Sequence, residues 1–215
     1  MKQIFVANPK GGCGKTTLAT QLASYFASEG IQVALLDHDR QQSSLDWLKA
    51  RPDSCAPIVP IAAFRGDNAA LEKFDYLIHD MPAGCEVDDI RRHCLGPCKL
   101  VIPMLASPTD IKAGVRFLMA LNRSDWVAQS QVDIAMVANR VRTNTNYYKV
   151  LSAFLEQVNM PLVASIRDTQ NYIRAMDNGV SIFDLPRSRV SSDLKQWQPL
   201  LQWLQAQTET ELETA

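Results

Sequence analysis

Apolar residues along this chain fall into short runs, separated by longer stretches in which they recur every three or four positions. Short runs bounded by turn residues read as buried strands, and the longer periodic stretches read as helices with one covered face. The runs predict strands at residues 4–7, 33–37, 76–79, 100–104, 134–138 and 162–166. The periodic stretches predict helices at 15–29, 44–50, 88–93, 111–121, 146–157 and 169–177, with a closing helix at 191–206. Strand and helix alternate almost throughout. That order predicts an α/β fold with a doubly wound, mostly parallel sheet and helices on both faces.

Composition narrows the picture. The 215 residues are 47% hydrophobic and 21% charged, enough to bury a sizeable core and unlike disordered, collagenous or disulfide-framework chains. No Pro/Gly/Ser-rich linker or internal repeat divides the chain, so a single domain is expected over 1–207. A short acidic tail follows at 208–215, with Glu209, Glu211 and Glu213. The net charge of −1 gives no whole-molecule field for nucleic acid, so any such affinity must be local. No apolar run approaches the roughly 18 residues needed to span a bilayer, and the N-terminus enters a strand pattern directly, which predicts a cytoplasmic protein. Five unevenly spaced cysteines (Cys13, Cys55, Cys85, Cys94, Cys98) fit reduced thiols better than a set of bridges.

The sharpest chemical signal follows the first strand, where Asn8-Pro9-Lys10-Gly11-Gly12-Cys13-Gly14-Lys15-Thr16-Thr17 leads into a helix. Glycines let successive amides turn toward one anion, and the helix N-terminus adds the positive end of its dipole. Lys15 is placed for the β and γ phosphates of a nucleotide, and Thr16 is placed to offer its hydroxyl to Mg²⁺. Pro9 stands where the usual phosphate loop has its first glycine, and Lys10 adds a second lysine.

Carboxylates mark the ends of two further strands, at Asp37-His38-Asp39-Arg40-Gln41 and at His79-Asp80-Met81-Pro82-Ala83-Gly84. Strand C-termini in an open α/β sheet border the ligand crevice, where a metal and an attacking water need acids. The bland alternative for any one of them is a cap on the following helix. After the fifth predicted strand, Asn139-Arg140-Val141-Arg142 occupies the base-recognition position. Arg142 stands where a guanine-reading aspartate would be, which favours adenine read by the Asn139 amide, against a loop asparagine that satisfies its own backbone.

Lys-Gly-Gly-x-Gly-Lys-Thr-Thr resembles the deviant Walker A loop of the ParA/MinD family of ATPases, and Ser165-Ile166-Arg167, Tyr172, Gly179 and Phe183 extend the resemblance over nearly the whole chain. It is closest to small ParA-type partition proteins without an N-terminal helix-turn-helix. The resemblance implies a phosphate loop of Gly11, Gly12, Cys13, Gly14, Lys15, Thr16 and Thr17. It also implies that Lys10 reaches across an ATP-sandwich homodimer to the partner's phosphates, which makes Lys10, Lys15 and Asp39 the catalytic set. Asp39 matches the residue that positions the attacking water, Asp37 the preceding acid near the metal, and Asp80 the Walker B acid on Mg²⁺. Arg40 replaces a proline usual in the family.

The same resemblance implies an ATP-bound dimer on non-specific nucleoid DNA, released when a ParB-like partner stimulates slow hydrolysis. Eight basic residues (Arg140, Arg142, Lys149, Arg167, Arg174, Arg187, Arg189, Lys195) against five acids between 140 and 195 make the C-terminal half the candidate DNA surface; solvated helix faces are the bland reading. Competing readings are a MinD-like membrane ATPase, an iron–sulfur carrier using Cys85, Cys94 and Cys98, and a small-molecule ligase. The closing helix carries an apolar stripe, Leu194, Trp197, Leu201 and Leu204, with Leu200 and Trp203 beside it, and then the acidic tail. Core packing explains that stripe better than a lipid surface, and no membrane partner is expected.

Overall fold

The computed structural model describes residues 1–66 and 70–206, so the acidic tail lies outside the described residues. In chain order the elements are β1 (Lys2–Val6), α1 (Lys15–Ser28), β2 (Val33–Asp37), α2 (Ser43–Lys49), β3 (Val59–Ile61), β4 (Tyr76–Asp80), α3 (Val87–His93) and β5 (Cys98–Met104). There follow α4 (Pro108–Asn122), α5 (Asp125–Gln129), β6 (Val132–Val141), α6 (Asn146–Gln157), β7 (Leu162–Arg167), α7 (Gln170–Asp177) and α8 (Arg187–Gln205). The strands form one sheet in the order β3-β2-β4-β1-β5-β6-β7, and every pair is parallel. The chain therefore builds outward from β1 in both directions, and the loop after β1 opens into the crevice where the strand order reverses.

All six expected strands are present, and the structure adds β3. Its sequence, Val59-Pro60-Ile61, hides a strand because proline lacks the amide a central strand needs. At the sheet edge that missing donor costs nothing, and Leu35 pairs beside Pro60. Strand β6 runs three residues beyond its expected end, to Val141, through a register irregularity at which Arg140 takes a positive φ of 51°. Asn139 consequently lies inside the strand rather than in the loop after it. Helix α8 starts at Arg187 rather than 191, and α5 was not expected.

Side-chain alternation in β1 divides the core into two layers. Ile4 and Val6 face α1, α7 and α8, where Leu18, Leu22, Phe26, Trp197, Leu200 and Leu204 are buried. Phe5 and Ala7 face the opposite layer, built with α3, α4 and α6. The apolar stripe of α8 is thus core: Trp197 is fully buried and donates its indole N–H to Tyr172 Oη at 2.8 Å. Lys99 holds the other end of α8, donating to the carbonyls of Trp203 at 2.7 Å and Ala206 at 3.1 Å, a cation on the negative end of the helix dipole. Among the described residues no helix is long and apolar enough to cross a membrane.

The segment after α2 is tied to the α7–α8 connection by a buried ion pair. Arg51 donates to both carboxylate oxygens of Asp184, at 3.0 and 3.2 Å, and also to the Gly179 carbonyl and Ser24 Oγ. Trp47 adds an N–H to the Val180 carbonyl. The backbones approach so closely that a Cβ on Gly179, which has φ +65°, would lie 2.3 Å from the Ala50 carbonyl carbon. Gly179→Ala is therefore expected to cost about 2–4 kcal/mol in urea unfolding, through both the left-handed backbone and the collision. Gly66→Ala is the control: Gly66 shares the positive φ (+74°), but a Cβ there meets nothing within 4 Å among the described residues, so only the backbone cost of roughly 1 kcal/mol should appear. Equal losses at the two sites would show that the Ala50 backbone yields.

Candidate nucleotide-binding site

The loop between β1 and α1 is shaped from beneath. Asn8, fully buried, donates to the Pro103 carbonyl at 2.7 Å while its Oδ1 accepts the Lys10 amide at 2.9 Å. Asn139 donates from Nδ2 to the Cys13 carbonyl at 2.8 Å. Gly14, left-handed at φ +95°, passes directly over that amide, and a Cβ there would sit 2.1 Å from Asn139 Nδ2. The glycine is thus required twice, by its backbone conformation and by the side chain under it. Cys13 fills the loop's interior: it is buried, its Sγ lies 3.2 Å from the Lys10 carbonyl, and burial raises its thiol above the ordinary range.

The two lysines separate. Lys15 is buried within the loop, with Nζ donating to the Lys10 carbonyl at 3.1 Å, whereas the Lys10 side chain is exposed at the rim. Above the loop lies a cleft of about 640 Å³, lined by the loop glycines, Thr16, Thr17, Asp39, Asn139 and Arg140, and closed on the far side by residues of β7 and α7. Its size and its position at the strand C-termini suit a nucleotide.

Two aspartates end neighbouring strands in register, Asp37 beside Asp80. Asp37 is fully buried and accepts the amides of Asp39 (2.9 Å), Ser44 (3.2 Å) and Leu45 (3.3 Å), so it closes the turn after β2 and caps α2. Asp80, also buried, keeps Oδ1 without a hydrogen bond, as does the buried Ser44 Oγ. Burial is the main cause that pushes the Asp80 carboxyl up to about 7, with the Asp37 charge adding to it and Thr16, Ser44 and Lys15 working against it. Behind these acids the three histidines meet: His38 Nε2 lies 3.0 Å from His79 Nδ1, Phe5 stacks on His79 at 4.0 Å, and His38 and His93 rings are 4.3 Å apart. Burial holds His38 down to about 3 and His79 well below the usual range, so both are neutral and offer Asp80 no compensating cation.

An orphaned carboxylate oxygen with threonine and serine hydroxyls beside it is a donor set that fits Mg²⁺. Among the described residues no three His, Cys, Asp or Glu side chains converge to hold an ion by themselves. That also suits Mg²⁺, which keeps several waters and takes phosphate oxygens.

Residues 4–182 match the family model described as the CobQ/CobB/MinD/ParA nucleotide-binding domain. The chain belongs to that family, whose ParA/MinD members are P-loop ATPases. It is 27% identical over 199 residues to the maintenance of carboxysome distribution protein A of Halothiobacillus neapolitanus, covering 87% of this chain and 90% of that one. Among solved structures it resembles a Cyanothece McdA variant in complex with ATP (TM-score 0.67, 18% identity, 93% of this chain and 96% of that one). It also resembles a Borrelia burgdorferi plasmid partition protein bound to AMPPNP (TM-score 0.69, 17% identity, 94% and 98%). At that identity the likeness is one of fold.

Within this ParA/MinD-type frame, Gly11, Gly12, Gly14, Lys15, Thr16, Thr17, Asp39 and Asn139 border one cleft. Cys13 lies under it, and Asp37 and Asp80 lie at the adjoining strand ends. Asn139, read from sequence as the adenine reader, has its amide engaged with the loop, Nδ2 on Cys13 and Oδ1 on the Arg140 amide. The outer wall brings residues that the sequence reading did not place at the site, Asp168 and Thr169 among them, with Arg140 Nε 3.2 Å from Asp168 Oδ1. Asn8 and Ser44 were also missed; an asparagine right after a buried strand and a serine opening a helix are weak signals on their own. Ser107-Pro108-Thr109-Asp110 caps α4, with Ser107 Oγ accepting the Asp110 amide at 3.2 Å.

Of the eight candidate DNA-binding residues, Arg140 and Arg167 pair with Asp168 and Asp193, the latter at 2.6 Å. Arg142, Lys149, Arg174, Arg187, Arg189 and Lys195 are exposed.

Because the folded-state pKa of Asp80 lies above its unfolded value, the penalty for burying its charge is full above about pH 7. The penalty then fades as pH falls toward 4, where the folded protein takes up the proton first. Asp80→Asn is expected to stabilise the nucleotide-free protein by about 2–4 kcal/mol at pH 8, with the gain shrinking below pH 6. The histidines are common to both proteins and cancel. Urea unfolding across pH 5–8 checks this, and a gain independent of pH would contradict it.

Proposed function

We propose that this chain is a ParA-type positioning ATPase that dimerises around two ATP molecules, binds nucleoid DNA without sequence preference, and is reset by slow hydrolysis stimulated by a ParB-like or cargo-adaptor protein. The observation that carries this reading is the division of labour between two lysines in one loop. Lys15 is folded inside it, fit for the nucleotide of its own subunit, and Lys10 is exposed at its rim, fit for a second subunit. A cation delivered in trans stabilises charge on the transferring phosphoryl group only when two subunits meet, which makes dimerisation and ATP state one switch.

In this reading the loop amides of Gly11, Gly12, Cys13 and Gly14, with Lys15, Thr16 and Thr17, hold the phosphates. Asp39, whose Oδ1 accepts the Gln41 amide at 3.0 Å, orients the attacking water from the turn after β2. Thr16 and Asp80 hold Mg²⁺, and Asp37, through α2 and Ser44, fixes the geometry beside them. Bound Mg²⁺ supplies charge neutralisation of the β and γ phosphates. Arg142, Lys149, Arg174, Arg187, Arg189 and Lys195 are free for DNA phosphates. Arg140 and Arg167 would first have to leave their aspartates. The H. neapolitanus relative favours a carboxysome as cargo; a plasmid or chromosome region fits the same machinery.

Binding to non-specific duplex DNA should require ATP·Mg²⁺ over ADP·Mg²⁺ or no nucleotide, and should weaken steeply between roughly 50 and 200 mM salt. No binding in any nucleotide state would sink the proposal. Lys15→Ala is expected to abolish ATP binding, whereas Lys10→Ala retains it but stays monomeric by light scattering. An ATP-dependent dimer in Lys10→Ala would remove Lys10 from the trans role.

A further inference from the structure

The turn that carries Asp39 has little in its own chain to hold it. Residues 38–42, His-Asp-Arg-Gln-Gln, include neither proline nor glycine, and Gln42 closes the turn at a positive φ of 60°, a conformation that side chains disfavour. Arg40 and Gln41 are exposed, and Asp39 borders the cleft. Backbone contacts secure the start of the turn, where the His38 amide donates to the Asp80 carbonyl at 3.1 Å and the Asp39 amide donates to Asp37 Oδ1. The side-chain anchor is the His38 ring, which meets His79 of β4 and His93 of α3.

The direction of each hydrogen bond in this anchor follows from backbone groups at its far end. Gln3 Oε1 accepts the Leu95 amide at 2.7 Å, and Gln3 Nε2 donates to the His93 carbonyl at 3.2 Å, so the orientation of the Gln3 amide is fixed. The second hydrogen on Nε2 serves His79 Nε2 at 3.3 Å, and that ring nitrogen is therefore an acceptor without a proton. The His79 ring then carries its proton on Nδ1, which donates to His38 Nε2 at 3.0 Å. His79 is buried and stacked on Phe5 at 4.0 Å, and its ring lies within 16° of parallel to that of His38. One chain of donors thus runs from the end of α3 through β1 and β4 to the turn after β2. Removing the acceptor at His38 leaves a buried N–H on His79 without a partner.

We propose that His38 is a positioning residue for ATP hydrolysis, its ring bonded to His79 so as to hold the turn that directs Asp39 toward the attacking water. This assignment rests on the role given to Asp39 above and adds a second residue to it. His38 acts through Asp39 alone, because the ring lies behind the turn and the loop and Lys15 hold the phosphates. Loss of the anchor should therefore slow the chemical step and leave ATP affinity in place. A misplacement of about 1 Å in such a group costs on the order of a hundredfold in rate.

Side-chain reach gives the test. Glutamine places its amide where histidine has Nε2, and asparagine places its amide where histidine has Nδ1. His38 bonds through Nε2 and His79 through Nδ1, so the two positions should respond in opposite ways. His38→Gln and His79→Asn should keep kcat within about threefold of the unaltered chain, whereas His38→Asn and His79→Gln should lose about tenfold or more with ATP Kd moved less than about twofold. Hydrogen exchange of the 38–42 segment, followed by mass spectrometry, reads the turn without turnover. The two losing variants should exchange about tenfold faster there, and the other two at the unaltered rate.

Equal behaviour of glutamine and asparagine at both positions overturns the hydrogen bond as the anchor. A parallel loss of ATP affinity overturns positioning in favour of a general structural role. Faster exchange with kcat unchanged overturns the link to Asp39. If a variant at one position fails to fold, the pair at the other position decides. An unaltered chain without ATP turnover would overturn the ATPase reading and the catalytic half of this one, while the exchange pattern still decides whether the His38 ring holds the turn.

Discussion

The hydrogen bond from the Asn139 amide to the Cys13 carbonyl is the contact on which the site's geometry depends. A loop that offers several amides to one anion must turn its carbonyls away, and buried carbonyls need donors. Asn139 supplies one from β6, and Asn8 pins the loop's beginning to the end of β5. With both anchors in sheet strands, the loop is held by the most rigid part of the molecule. Gly14 must then be a glycine, because the anchoring side chain occupies the space a Cβ would need.

The same crowding sets the electrostatics. The ends of β2 and β4 are covered by α2, by the loop and by neutral histidines, so Asp80 sits where a charge is poorly solvated and one oxygen has no partner. In the proposed ATPase a cation bound there would remove that penalty, so that stability given up at a carboxylate would become affinity for the metal and the nucleotide it accompanies. Asp37 shows the opposite solution one strand away: equally buried, it spends its oxygens on three backbone amides.

Much of this was legible in the sequence because the relevant signals are local. Strands with uninterrupted apolar runs, the glycine-lysine-threonine loop and the acids at strand ends are each specified by a few adjacent residues. Signals that depend on distant partners were not legible. Pro60 concealed β3 because only the sheet order shows it to be an edge. The Asn139 amide lies beneath Gly14, a contact that the sequence, in which the two stand 125 positions apart, does not show. Nor can it show that Asp168 and Thr169 close the cleft, since the β7–α7 turn reaches it only when seven strands are in order. The aspartates at 37 and 80 look equivalent as strand-ending acids, and only the hydrogen-bond count separates them.

What connects the nucleotide site to the rest of the molecule is α2. Its N-terminus is capped by Asp37 at the cleft, and its far end leads into Arg51, whose guanidinium holds Asp184 and the Gly179 carbonyl next to the start of α8. Arg51 is buried with its carboxylate, so the pair cannot loosen without leaving charges in a poorly solvated place. In the proposed ATPase a rigid element with one end at the cleft and the other clamped beside a helix bearing Arg187, Arg189 and Lys195 would give nucleotide state a mechanical route to that basic surface. The route needs no new contacts to form. Any rotation of α2 about its capped end must either carry the α7–α8 connection with it or break the buried pair, and the second costs far more than the first.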